Sequence, residues 1–310
     1  MSLPSKLPTM RAAENVGVHA PDSRYAWLRL ATILALMTVG SCAMYVVSVV
    51  LPAVQVEFGV ARSDASLPYT LLMIGFGLGG VVMGRLADRL GIRLVLMIGA
   101  CGLGLGFVGA GLSGGIWSFA LIHGLLLGAL GSACSFAPLV ADASLWFVRR
   151  RGIAVAIAAA GNYVAGAIWP PIVQHFVTTQ GWRATYIGLG LFCFVTMLLL
   201  AQAMRAKPPA LAATVAATLS GAMPSHRSFG LSMGQAQTLL CIAGTACCVA
   251  MAMPQVHIVA YCGDLGFGAA RGAQMLSLML GMGIVSRLVS GLSRSSAWPW
   301  AAGCRARSMT

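Results

Sequence analysis

Arg287 stands inside a long apolar stretch near the end of this 310-residue chain, where a positive charge is costly unless it is compensated. A buried guanidinium needs a partner or a water-filled cavity, and its planar fork of N–H donors matches a carboxylate in two parallel hydrogen bonds. The alternative is that Arg287, about five residues or roughly 8 Å before the predicted end of its helix, extends its side chain to the nearest water interface. The residue therefore predicts either an anion-binding site or an interfacial anchor.

Further polar side chains lie in apolar stretches and could line the same cavity. Asn162 and Tyr163 fall about ten residues into the fifth predicted helix, near its middle. Pro254 is expected to break the seventh helix, so that freed carbonyl groups beside His257 face a cavity. Tyr45, in the first apolar stretch, is another cavity-lining candidate. The competing interpretation is that these side chains join helices to one another, or, for Tyr45, mark a membrane interface.

The sequence contains no motif that is typical of an enzyme. It contains no phosphate loop of the G-x-x-x-x-G-K type, no nucleophile elbow and no cluster with metal-ligand spacing. Most of the nine cysteines lie in apolar runs without paired spacing, which favours free, buried thiols. We therefore predict that the protein is not an enzyme, and that it has no catalytic residues, no metal and no cofactor.

The composition indicates the surroundings of these residues. Hydrophobic residues make up 58% of the chain and charged residues 9%, whereas a soluble domain carries about 25% charged residues. Hydrocarbon surroundings explain the difference, because a charge at the bilayer centre costs roughly 2.5–3.5 kcal/mol on insertion scales. The net charge of +13 is scattered through short polar gaps, so it favours a lipid bilayer rather than nucleic acid as the partner.

Eight apolar runs are long enough to span a bilayer, which predicts an all-α membrane protein. The predicted spans are Leu28–Leu51, Leu67–Met83, Leu94–Leu112, Ile116–Val140, Gly152–Val177, Ala184–Met204, Gln237–Tyr261 and Ala270–Leu292. Sixteen Lys and Arg residues lie in the gaps or at the ends of the spans on one side, and only Arg62, Arg183 and Arg271 lie on the other. The positive-inside rule then predicts a cell (inner) membrane protein with both termini in the cytoplasm.

Residues 84–93, between the second and third runs, read Gly-Arg-Leu-Ala-Asp-Arg-Leu-Gly-Ile-Arg. The pattern predicts a tight turn whose arginines lie at an anionic membrane surface, and in which Asp88 caps a helix or pairs with an arginine. The segment resembles the signature loop of the major facilitator superfamily, where it acts as a conformational latch. The resemblance implies a helical bundle of two six-helix halves, with a latch formed by Gly84, Asp88, Arg89, Gly91 and Arg93.

A second segment resembles one particular family within this superfamily. Residues 146–166 combine an aromatic pair, three consecutive arginines and a run of small residues, which is similar to the pattern of monocarboxylate and oxalate/formate transporters. In that family an arginine at the place of Arg287 binds the substrate carboxylate, and an aspartate one turn earlier pairs with it. This chain has Gly283 there. The resemblance therefore implies a small organic anion as partner, with or without a proton, but a proton-coupling pair of this kind is missing.

The polar gaps between the apolar runs predict the domain boundaries. They are an N-terminal tail (1–25), a six-helix bundle (26–204), a cytoplasmic linker (205–236), a partial second bundle of two helices (237–292) and a basic tail (293–310). The tail lacks the second latch-like motif that the family carries at this place, so our hypothesis is a truncated or frame-shifted product. A pathway between unequal halves would lack much of one wall, and we expect little or no transport by this chain alone.

Together these features predict a secondary active transporter of small organic anions, of monocarboxylate type, that works by alternating access as a symporter or exchanger. The predicted substrate site combines Arg287, Asn162, Tyr163, His257 and Tyr45. Asp142 is expected to form an interfacial ion pair with the arginines at 149–151. Two alternatives stay open: efflux of a hydrophobic drug, for which Arg287 would be dispensable, and a membrane sensor or assembly partner that moves no solute.

Overall fold

A computed structural model describes residues 22–148, 150–206 and 232–296. Eight of its helices are long and apolar enough to cross a membrane, which confirms the predicted all-α membrane fold. They are α1 (Arg24–Phe58), α2 (Leu67–Leu90), α3 (Ile92–Gly111), α4 (Ile116–Trp146), α5 (Arg151–Gln180), α6 (Trp182–Ala203), α7 (Met233–Asp264) and α8 (Ala269–Ser296). Most of the predicted tails and of the linker lies outside the described residues.

The segment predicted as a turn between the second and third helices is mostly helical. Helix α2 continues through Gly84 and Asp88 to Leu90, and Gly91 alone separates it from α3. Gly91 has φ of 87°, a conformation that glycine adopts without a Cβ clash. Asp88 lies in the last turn of α2, so the prediction that it caps a helix N-terminus is wrong. The reason is that nothing in the segment stops the helix before Gly91.

Helix α4 contacts α2 through its π-helical middle, His123–Ser132. A Cβ atom on Gly75 would lie 2.0 Å from the carbonyl oxygen of Gly124, and one on Gly79 would lie 2.3 Å from that of Ala129. The two helix backbones therefore touch directly, which membrane helices achieve where small residues face each other.

We expect Gly75→Ala to lower the thermal stability of the protein in detergent, because the added methyl group would push α2 away from α4. Overpacking of this kind typically costs about 1–3 kcal/mol. Gly77→Ala is the matched control, since Gly77 lies on the same helix and a Cβ atom there meets nothing within 4 Å. Equal unfolding midpoints for the two variants would contradict the close α2–α4 contact.

A buried ion pair joins α1 to α4. Arg29 donates from Nε and Nη2 to the two carboxylate oxygens of Asp142 at 2.8 and 2.9 Å, and the side chains are 1% and 6% exposed. Arg29 also donates to the carbonyl oxygen of Ala206 at 3.0 Å, and its guanidinium lies 4.7 Å from the ring centre of Trp146. The prediction that Asp142 pairs with the arginines at 149–151 is therefore wrong. Helix α1 begins early enough to bring Arg29 inside the bundle.

Helices α7 and α8 pack against the first six helices through a limited surface. Helix α8 runs along α5, while α7 lies against α8 and against the second segment of α1, Cys42–Phe58. Of the most apolar 18-residue stretch in each helix, 78% is buried in α1 but only 6% in α7. The α5–α8 contact is therefore the main connection between the two groups of helices, which we call the first half (α1–α6) and the second half (α7 and α8).

Candidate functional site

Tyr163 of α5 and Arg287 of α8 meet at the contact between the two halves. The guanidinium carbon lies 4.7 Å from the centre of the Tyr163 ring, and Nη2 donates to the phenol oxygen at 3.3 Å. The phenol in turn donates to the sulfur of Met251 in α7 at 3.8 Å. One side chain of the first half thus contacts both described helices of the second half, and a cation–π interaction orients the arginine.

The space beside Arg287 depends on Gly283, one turn earlier in α8. A Cβ atom on Gly283 would lie 2.5 Å from both Cδ1 and Cε1 of Tyr163. The tyrosine ring therefore fills the space that a larger side chain at position 283 would need. Within the described residues Arg287 has no carboxylate partner. Its positive charge is left uncompensated, which suits an anionic ligand.

Tyr45 and Asn162 form a second pair beside the first. The Tyr45 hydroxyl donates to Asn162 Oδ1 at 3.2 Å, and Tyr45 is buried. A Cβ atom on Gly166, one turn along α5, would lie 2.7 Å from Tyr45 Cε1 and 2.3 Å from Leu280 Cδ1 of α8. The small residue lets α1 and α8 approach the same part of α5. Four of the five predicted site residues thus form two neighbouring pairs on this helix.

His257 lies apart from these pairs. Its side chain is exposed on α7, and it forms no hydrogen bond or ring contact with another described residue. The prediction that Pro254 breaks the seventh helix is wrong, since α7 is continuous from Met233 to Asp264. A proline is tolerated inside membrane helices when its surroundings satisfy the freed carbonyl groups. No group of three or more His, Cys, Asp or Glu residues among those described could hold a metal ion.

Ser277 carries no sequence signal of its own, yet it joins α8 to α5. Its hydroxyl donates to the carbonyl oxygen of Ala167. Pro171 has no N–H group, so this carbonyl four residues earlier lacks its usual helical partner. The Pro170–Pro171 pair predicts a free acceptor in α5, but the donor is known only from the fold. A groove of about 390 Å³ opens beside this contact, lined by Pro171, Gln274, Ser277, Leu278, Gly281 and Met282.

The two halves also meet at the end of the bundle opposite the α2–α3 turn, which we call the closed end. Arg62 forms an ion pair with Asp264 at 2.5 Å, and the Tyr69 hydroxyl donates to Gln255 Oε1 at 3.4 Å. Val256 of α7 is buried among the side chains of Val47, Leu51, Ala65 and Tyr69. These contacts connect α7 to α1 and α2 and close this end of the interface between the halves.

The predicted latch lies at the other end, which we call the arginine-rich end. The side chains of Asp88 and Arg89 are exposed and form no hydrogen bond or ion pair with a described residue. Arg93 donates from Nη2 to Gln202 Oε1 of α6 at 2.7 Å. Among the described residues, segment 84–93 therefore makes no side-chain hydrogen bond to the second half.

Fold and site define a multi-pass membrane protein with a polar site between two groups of helices. Residues 33–304 match the Major Facilitator Superfamily. Monocarboxylate transporter 4 of Rattus norvegicus is 27% identical over 280 residues, which are 89% of this chain and 58% of that protein. Monocarboxylate transporter 11 of Homo sapiens is 28% identical over 284 residues, covering 90% and 58%. The chain belongs to the Major Facilitator Superfamily, a family of transporters, and spans about 58% of the length of these relatives.

A solved structure supports the same fold. A crystal structure of the peptide transporter POT is similar with a TM-score of 0.52 at 14% identity, over 79% of this chain and 54% of that one. At this identity the likeness concerns the fold alone. The superfamily predicted from residues 84–93 is confirmed by the match over residues 33–304.

Proposed function

We propose that the protein is a secondary active transporter of small organic anions, of monocarboxylate type, and that Arg287 binds the substrate carboxylate. The observation that carries the proposal is the Arg287 guanidinium, which is exposed, contacts Tyr163 where α8 packs on α5, and has no carboxylate partner within the described residues. The relatives that are monocarboxylate transporters support this class of substrate. An uncompensated positive charge also attracts anions to the interface between the halves.

The neighbours of Arg287 prepare it for a carboxylate. Its hydrogen bond to Tyr163 is 3.3 Å long, slightly longer than the usual range for N–H···O bonds, so a carboxylate oxygen can replace the phenol oxygen at little cost. The ring contact holds the guanidinium plane while two parallel hydrogen bonds form to the ligand. Tyr45 of α1 and Asn162 of α5 supply a hydroxyl and an amide beside this pair. His257, which is exposed on α7, would line the cavity only in states in which α7 has moved.

Alternating access would require the closed end to open. The Arg62–Asp264 pair that holds it is 42% and 57% exposed, and exposed ion pairs contribute only about 0–1 kcal/mol. The Tyr69–Gln255 bond is long at 3.4 Å, so α7 can separate from α1 and α2 at modest cost. Because glycine replaces the aspartate beside Arg287, we propose anion exchange, or symport in which a proton uses another group.

We propose the cell (inner) membrane as the location, with both termini in the cytoplasm. Arg85, Arg89, Arg93, Arg150 and Arg205 lie at the arginine-rich end, whereas Arg62, Arg183 and Arg271 lie at the closed end. The positive-inside rule supports a cytoplasmic arginine-rich end. Reporter fusions after Leu90 and after Gly181 should report opposite compartments, with the first in the cytoplasm.

Counterflow in proteoliposomes tests the proposed function. Vesicles loaded with one of a panel of small carboxylates would be assayed for uptake of the labelled compound. Two proteins are compared: this chain, and a version extended by the four helices that follow in a full-length relative. We expect counterflow of small carboxylates from the extended version. Uptake of hydrophobic drugs without carboxylates would favour the efflux alternative, and the absence of binding and flux in both would favour a sensor or assembly partner.

We expect Gly283→Ala to weaken carboxylate binding about 2- to 30-fold. The added Cβ atom would displace the Tyr163 ring from Arg287, and a cation–π interaction contributes about 0.5–2 kcal/mol. Gly281→Ala is the control on the same helix, because a Cβ atom there meets nothing within 4 Å. Binding of a radiolabelled carboxylate to the purified extended protein measures the effect. Equal affinities for the two variants would contradict the role of Tyr163 in orienting the arginine.

A further inference from the structure

A second arrangement of arginines lies away from the proposed substrate site, where α3 begins and α6 ends. Arg93 donates from Nη2 to Gln202 Oε1 at 2.7 Å. Arg205 donates to the same oxygen from Nη2 at 2.7 Å and from Nε at 3.1 Å. One neutral amide oxygen therefore holds two guanidinium groups side by side at the arginine-rich end of the bundle.

The arrangement has unbalanced charge. Two like charges this close repel each other, and a neutral amide oxygen compensates neither. The ion pairs among the described residues involve other arginines, namely Arg29, Arg62 and Arg183. Helix α3 adds partial positive charge, since its first turn has neither a side-chain cap nor an acidic residue. An anion between Arg93 and Arg205 would compensate both guanidinium charges and the partial charge of the helix.

The donors that remain suit a phosphate group. Each guanidinium carries five N–H donors, and Gln202 accepts one from Arg93 and two from Arg205. Both arginines are exposed, so their other donors can reach a ligand at the surface. The forked geometry of arginine matches the tetrahedral oxygens of phosphate in paired hydrogen bonds.

Apolar side chains around the pair indicate the source of the phosphate. Leu90 and Leu94, on either side of the α2–α3 turn, are 60% and 42% exposed. Leu199, one turn before Gln202 in α6, is 69% exposed. A free phosphate ion would leave this apolar surface uncovered, whereas the acyl chains of a lipid would cover it.

We infer that Arg93, Gln202 and Arg205 form a binding site for the phosphate of an anionic lipid headgroup, with the acyl chains along Leu94 and Leu199. The lipid would join the start of α3 to the end of α6 on the predicted cytoplasmic side. This site is independent of Arg287 and of the proposed transport function.

Native mass spectrometry of the purified full chain tests the site, with phosphatidylglycerol as the probe and phosphatidylcholine as the reference lipid. We expect phosphatidylglycerol to bind at least about tenfold more tightly, and the double variant Arg93→Gln, Arg205→Gln to lose most of this preference. The double variant Arg93→Lys, Arg205→Lys keeps both charges without the forks and should fall between. The matched control removes two other exposed arginines of the same end, Arg150→Gln with Arg151→Gln, and should bind like the parent.

Each contrary outcome overturns the inference. Equal losses in the two glutamine double variants would mean that only the overall charge matters. Equal binding of the two lipids by the parent would exclude a site for anionic lipid. Displacement of phosphatidylglycerol by inorganic phosphate at similar concentration would assign the arginines to free phosphate.

The variants are also checked for folding. Because all four substituted arginines are exposed, we expect the elution of the variants from gel filtration to be unchanged. If a double variant still elutes as an aggregate, Gln202→Leu replaces it and should lower the preference at least about threefold, because the oxygen that accepts hydrogen bonds from both arginines is lost.

Discussion

Replacing Arg287 by alanine is expected to reduce carboxylate binding about 10- to 150-fold, the largest effect on function that we predict. The estimate follows from hydrogen bonds to charged groups, which contribute about 1.5–3 kcal/mol, at 1.4 kcal/mol for each factor of ten. Arg287→Lys should recover part of the affinity, because it keeps the charge but lacks the fork that forms two parallel bonds. Binding of a radiolabelled carboxylate to the purified extended protein, with the neutral amide of the same acid as reference ligand, measures both variants.

Arg271→Ala provides the control for this experiment. Arg271 lies on the same helix, is exposed, and forms no hydrogen bond or ion pair with a described residue. It should bind the carboxylate like the parent, so a loss restricted to position 287 separates a specific site from general attraction by positive charge. Unchanged affinity in Arg287→Ala would reject the anion site and leave the arginine as an interfacial anchor, in agreement with the efflux alternative. Helix α8 continues to Ser296, which places Arg287 roughly two and a half turns from its end.

Replacing Asp142 by alanine is expected to destabilise the fold by about 3–5 kcal/mol, the largest effect on stability that we predict. Removal of one partner from a buried pair leaves an uncompensated charge, and Arg29 is 1% exposed at the side chain. Its other contacts, to Ala206 and Trp146, cannot neutralise it. Thermal unfolding in detergent and the yield of monodisperse protein measure the loss.

Two comparisons make the Asp142 result specific. Asp264→Ala removes the acid of an exposed pair and should cost only about 0–1 kcal/mol. The double variant Arg29→Met, Asp142→Leu removes both buried charges and should be more stable than Asp142→Ala, because no charge is left without a partner. If the double variant were as unstable as the single one, packing rather than charge would explain the role of these residues.

Much of the fold could be predicted from local sequence. The eight spans were predictable because a bilayer requires about 20 consecutive apolar residues for each helix, a property of short windows of sequence. Their ends were less predictable. Helix α2 was predicted to stop at Met83 but reaches Leu90, because charged residues such as Arg85 and Asp88 do not stop a helix that extends beyond the bilayer.

The candidate site was only partly predictable. A charge or an amide in an apolar run is visible in the sequence, so Arg287 and Asn162 could be chosen without a structure. Their partners could not be chosen, because the sequence does not contain the faces on which helices meet. Tyr163 becomes the partner of Arg287 only because Gly283 leaves room for its ring. Ser277 was missed for the same reason, since a single polar residue in a helix carries no distinctive pattern.

The sequence by itself determined that the described part of the chain contains eight helices long and apolar enough to cross a membrane, and it carries the signature motif of its superfamily. Tertiary structure alone decided which charges pair, as in Arg29 with Asp142, 113 residues apart in the chain. It also decided that the ring of Tyr163 occupies the space beside Arg287. The physical reason is that hydrophobicity and helix formation are properties of neighbouring residues, whereas pairing depends on rotations of helices about their axes, which packing of all the helices fixes together.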